Sequence, residues 1–241
     1  MGPFKKVFDF VRNCDGPMSA EFRDLFYIFL CQASYLSSKS LNMLCQQLPD
    51  LNNYRVFYTA RTVSVLYEFK NFTVLAVRGN VVHSDYLRSL CFYPTTYNGV
   101  VAHAGFAKTA SELCNTGINT AIREATSRGE LIYTGHSSGG AVVSLLATHS
   151  APDTIVTYGS PRVLTLRSEN TVFEQVTYRR YFNQYDYVRC LPPTRPFSYE
   201  HIGKTICFPS SLNYQSVLKS HAISTYAMNY MEKFGDSLCL Q

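Results

Sequence analysis

Apolar and polar positions alternate along this chain with two different periods. Between residues 20 and 38 the apolar side chains Phe22, Leu25, Phe26, Phe29, Ala33 and Leu36 recur at helical spacing behind Ser19, the stripe of an amphipathic helix with a capping hydroxyl before it. Leu41–Leu48 predicts a second, shorter helix. From Tyr54 the period shortens. Tyr54–Thr59, Val63–Phe69 and Phe72–Val77 are rich in Val, Tyr and Phe and predict strands. The pair Lys70-Asn71 sits where a hairpin turn would join the last two.

Further on, residues 104–127 predict a helix and Glu130–Thr134 a short strand running into Gly135. Ala141–His149 returns to helix, and Thr154–Tyr158 and Val176–Phe182 to strand. After a loop holding Pro192, Pro193 and Pro196 come a strand over Lys204–Phe208 and a closing helix over Val217–Phe234. Strands that alternate with helices predict a mostly parallel sheet covered on both faces. The hairpin signals ahead of them make that sheet mixed, so the expected class is α/β.

Composition narrows the function classes. At 241 residues, with 46% hydrophobic and 16% charged positions, the chain can bury one large core and is not a disordered protein. One domain over residues 1–241 is expected, with 1–19 as an N-terminal extension. No apolar run reaches the roughly 18 residues of a membrane-spanning helix, and the N-terminus carries no secretory signal. The eight cysteines are scattered without a Cys-x-x-Cys pair, which argues against zinc and for free thiols in a reducing, cytoplasmic compartment. The net charge of +5 is dispersed, which speaks against a nucleic-acid partner and allows weak, peripheral attraction to anionic lipid surfaces. The closing residues Leu238-Cys239-Leu240-Gln241 look like the product of a chymotrypsin-like viral cysteine protease. They raise the expectation of a virus-encoded polyprotein product in an infected cell.

The chemistry-bearing stretch is Gly135-His136-Ser137-Ser138-Gly139, a Gly-x-Ser-x-Gly pattern between a predicted strand and a predicted helix. Such a turn is sharp enough to need glycines on both sides and holds the serine hydroxyl above the sheet, making Ser137 a candidate nucleophile. A serine nucleophile needs a histidine base oriented by an acid. With the order serine, acid, histidine, His201 and His221 both qualify. Among the acids, Asp186 follows a predicted strand and so falls at the carboxyl end of the sheet, where α/β sites assemble. Asp153 precedes its strand and falls at the other end.

Four ordered motifs carry a resemblance. Val77-Arg78-Gly79-Asn80, Val101-Ala102-His103-Ala104-Gly105-Phe106, the elbow around Ser137, and Tyr158-Gly159-Ser160-Pro161-Arg162-Val163 continuing to Asp186 and Leu191-Pro192-Pro193 resemble the class 3 lipases. The resemblance implies an α/β-hydrolase fold and a lipid carboxylic-ester hydrolase acting on triacylglycerol or phospholipid, with no metal or cofactor. It implies Ser137 as nucleophile, Asp186 as acid and His221, in a His-x-x-x-x-Tyr pattern, as base. It leaves His201 and His103 structural. The backbone N–H groups of Ser138 and Asn80 would form the oxyanion hole. Residues 81–98 would be the lid region, with Val82, Tyr86, Leu87 and Leu90 as its lid residues. Ser138 stands where the family usually has leucine and Asn80 where it has a hydroxyl residue, which touches substrate preference more than the reaction. An acyltransferase or thioesterase using the same triad, or a silent lipid-binding relative, are the alternative readings.

Overall fold

The structure, a computed structural model, describes residues 20–79, 92–126, 129–166, 171–209 and 217–238. Helices α1 (Ala20–Ala33) and α2 (Ser38–Cys45) lead into strands β1 (Leu51–Tyr58), β2 (Val63–Phe69) and β3 (Phe72–Val77). Strands β4 (Pro94–Tyr97) and β5 (Val100–His103) precede helices α3 (Ala104–Cys114) and α4 (Ile118–Thr126). Strand β6 (Glu130–His136), helix α5 (Ser138–Leu146) and strand β7 (Thr154–Tyr158) form the centre. The two-residue strands β8 (Leu164–Thr165) and β10 (Tyr199–Glu200) flank β9 (Thr177–Asn183), and β11 (Lys204–Phe208), α6 (Val217–His221) and α7 (Ile223–Leu238) complete the order.

Seven strands make the main sheet in the order β1-β2-β3-β6-β7-β9-β11. The first three pair antiparallel and the rest parallel, which is the mixed, mostly parallel α/β sheet that the pattern predicts. Alternation builds a core on each face. Val65, Tyr67, Val74, Ala76 and Ile132 pack with α1, α2 and α7, while Leu66, Leu75, Val77, Leu131 and Tyr133 pack with α3, α4 and α5. Helix α1 buries Phe22, Leu25, Phe26 and Phe29, each contributing about 1.5–3 kcal/mol. It is also tied by charge: Asp24, 2% exposed, accepts a two-bond fork from Arg179 at 2.7 and 2.6 Å and the Tyr181 hydroxyl at 2.6 Å.

Several expected boundaries shift. Helix α1 ends at Ala33 rather than 38, because Ser34 Oγ caps the Cys31 carbonyl at 2.6 Å and Tyr35 enters a turn. Helix α2 starts early at Ser38, capped by Ser37 Oγ, which accepts the Ser40 N–H. The helix expected over 104–127 breaks at Asn115–Gly117 into α3 and α4, and the closing helix breaks at Ala222. Sequence periodicity also misses a second sheet, β10-β8-β5-β4, whose strands are too short to show a period. Within the span 81–98, Pro94–Tyr97 forms strand β4 and pairs with Val100–His103.

Candidate active site

Parallel pairing of β6, β7 and β9 brings their carboxyl ends side by side, and the polar residues gather there. Ser137 follows β6 directly, at φ 55° and ψ −133°. That conformation costs a non-glycine residue about 1–3 kcal/mol and persists only where its surroundings fix it. They do so here. Ser137 N–H donates to Tyr158 O at 3.0 Å, and the turn is so tight that a Cβ on Gly139 would lie 2.1 Å from Val77 O. The chain then runs straight into α5, whose N-terminal dipole favours negative charge at this spot.

Asp186 lies just beyond β9 and is 1% exposed. Its Oδ1 accepts the Val188 N–H at 2.9 Å. Its Oδ2 accepts both the Tyr226 hydroxyl at 2.6 Å and His221 Nδ1–H at 2.8 Å. Burial, and then the adjacent carboxylate, raise the Tyr226 phenol well above its usual range, so it stays a donor. A carboxylate can only accept, so the proton of the neutral imidazole sits on Nδ1. Nε2 is then left to accept from Ser137 Oγ, 2.8 Å away. The histidine's backbone is held as well. His136 Nε2–H donates to His221 O at 2.7 Å, and Asn183, itself bonded by Asn229, donates to Ser220 O at 2.7 Å. A hydroxyl, an imidazole and a buried carboxylate in this sequence can activate the hydroxyl for attack on a carbonyl carbon.

The structure thus brings together Ser137, Asp186 and His221, with Ser138 as the first residue of α5 beside them. Asn80 and the expected lid residues Val82, Tyr86, Leu87 and Leu90 lie outside the described residues. The other candidates sit elsewhere. His201 is bonded through Nε2 to Arg189 O at 2.8 Å, and burial followed by the charge of Arg180 lowers its pKa to about 3. His103 caps α3 by accepting the Gly105 N–H at 3.1 Å and stacks on Phe106. Asp153, at the amino end of the sheet, accepts the Leu131 N–H. Among residues not singled out from sequence, Tyr226 was legible in the His-x-x-x-x-Tyr spacing. His136 and Asn183 neighbour Ser137 and Asp186 along the chain, whereas Tyr35 and Asn229 reach the site only through the fold. Among the described residues no cluster of His, Cys, Asp or Glu is arranged for a metal, and no helix is long and apolar enough to cross a membrane.

The family model for lipases of class 3 matches residues 74–195. No curated protein sequence matches the chain. Solved structures do. The triacylglyceride lipase of Rhizomucor miehei aligns with a TM-score of 0.65 at 24% identity, over 80% of this chain and 82% of that one. Lipase II of Rhizopus niveus aligns at 0.64 and 20%, over 80% and 83%. The Lip2 lipase of Yarrowia lipolytica aligns at 0.64 and 16%, over 83% and 81%. At these identities the structures speak for the fold, which is the α/β-hydrolase fold.

Proposed function

The chain belongs to the class 3 lipase family and is a carboxylic ester hydrolase of lipids, and from that premise we propose that Ser137, His221 and Asp186 carry its reaction. Ser137 Oγ attacks the ester carbonyl carbon as its proton passes to His221 Nε2. Asp186, held by Tyr226 and the Val188 N–H, keeps the imidazole in the productive tautomer and stabilises the imidazolium. The N–H groups of Ser138 and Asn80 receive the oxyanion. Collapse breaks the bond to the alcohol, which leaves with the proton from His221. Water, deprotonated by the same histidine, then releases the fatty acid from Ser137. The scheme requires no metal or cofactor.

The observation that carries this reading is the unbroken run of hydrogen bonds from Ser137 Oγ through His221 to Asp186, 2.8 Å at each step. Contact with a lipid surface is the natural complement. Tyr187 and Leu191, in the segment that carries Asp186, are 54% and 40% exposed, and triacylglycerol or phospholipid would be presented to them from an aggregate. Triad and reaction are tested together: Ser137→Ala should abolish hydrolysis of a short-chain ester and labelling by a fluorophosphonate. Retained labelling would mean a different nucleophile. Preferred transfer of the acyl group to an added alcohol, rather than to water, would make the protein an acyltransferase.

A further inference from the structure

His136 has no part in the scheme above, yet it is a buried imidazole lying against the site. Its ring centre is 4.8 Å from that of His221. Its bonds have a forced polarity. The His221 carbonyl can only accept, so His136 Nε2 carries the proton, and Nδ1 must accept from the Tyr35 hydroxyl at 2.7 Å. The Tyr35 oxygen in turn accepts the Gly79 N–H at 2.7 Å. Gly79 packs so closely that a Cβ there would lie 2.7 Å from the Ser137 Cβ, and it immediately precedes Asn80. One directed chain therefore runs from the strand end beside the nucleophile, through the turn after α1, to the backbone of the base.

We infer that Tyr35 and His136 are positioning residues, which fix the end of β3 and the peptide of His221 to one frame around Ser137. The inference rests on the proposed triad. Burial, then the neighbouring His221, lowers the His136 pKa to about 3. His136 therefore stays neutral and does not repel the imidazolium formed on His221 during turnover.

Tyr35→Phe deletes one oxygen and is the deciding variant. It leaves the Gly79 N–H without this acceptor and His136 Nδ1 without this donor. On a soluble short-chain ester, kcat should fall roughly tenfold to a hundredfold while KM stays within about twofold. The folded fraction, read from the thermal transition, should stay unchanged at the assay temperature. His136→Phe should lose at least as much. His136→Gln, whose amide supplies one donor and one acceptor, should recover most of the loss. Wild-type kcat in Tyr35→Phe, a loss confined to KM, or a loss matched by the unfolded fraction would each overturn the inference. Ser137→Ala is assayed alongside: activity in that variant sinks the triad, whereas an inert Ser137→Ala beside a fully active Tyr35→Phe sinks only the positioning pair.

Discussion

His221 and His201 occupy contrasting neighbourhoods. Each is bonded through Nε2, to Ser137 Oγ in one case and to the Arg189 carbonyl in the other. Around His221 the second nitrogen meets the buried carboxylate of Asp186. Around His201 the nearby charges are the guanidinium groups of Arg180, Arg162 and Arg189, and all of them oppose a proton on the ring. A general base must hold a proton transiently, and a carboxylate partner favours that state while cationic neighbours disfavour it. Residue type therefore leaves the two open, and the surrounding charge decides.

The comparison is broken most directly by exchanging the losses. His221→Ala should lower kcat on the order of 10⁴-fold or more with the fold retained. A folded but inert His201→Ala beside an active His221→Ala would reverse the assignment. Asp186→Asn comes next, with a fall of roughly 10³–10⁴-fold, since the amide can donate to Nδ1 and turn the imidazole to the wrong tautomer. Steady-state kinetics on one soluble ester would rank both, and an Asp186→Asn enzyme within tenfold of wild type would remove the carboxylate from the argument. His201→Ala should cost about 1–3 kcal/mol of stability, because it leaves the Arg189 carbonyl unpaired, with little change in kcat once the protein is folded. Chemical denaturation followed by assay separates the two effects.

A pH dependence of stability completes the comparison. His136 and His201 both have folded-state pKa values near 3, below the ordinary 6.5. As pH falls below about 6.5 the unfolded chain binds protons that the folded chain refuses, so the stability these groups give is present above that pH and declines toward pH 3. Each contributes a slope of about 1.4 kcal/mol per pH unit in that window. Denaturation midpoints from pH 4 to 7 for wild type and His201→Ala should converge as pH falls. Parallel profiles would show that His201 titrates normally.

Much of the fold is readable along the chain where short runs rich in Val, Ile, Tyr and Phe stand between turns. Val63–Phe69, Phe72–Val77, Thr154–Tyr158 and Lys204–Phe208 are strands at the bounds the pattern predicts. The elbow is readable because a tight turn is a local event with local glycines. The rest of the site is not local. Asp186 could be favoured from its strand end, but the choice of His221 over His201 came from family resemblance. The position of Asn229 against Asn183 follows from topology that no spacing records. Tyr199–Glu200 owes its strand state to Leu164–Thr165, a partner distant in sequence. Tyr35 reads as the last turn of a helix, and only its ending at Ala33 frees the phenol to reach His136.

Helices α1 and α7 lie against one another in a shared core, although one opens the described chain and the other closes it. The site draws on both, through the turn after α1 that bears Tyr35 and through Tyr226 and Asn229 on α7. The backbone is in effect a ring sealed by side chains rather than by a peptide bond. Losing the turn that bears Tyr35, or the part of α7 that bears Tyr226 and Asn229, would withdraw a polar partner from the site. A minimal working unit of this enzyme must therefore keep both helices.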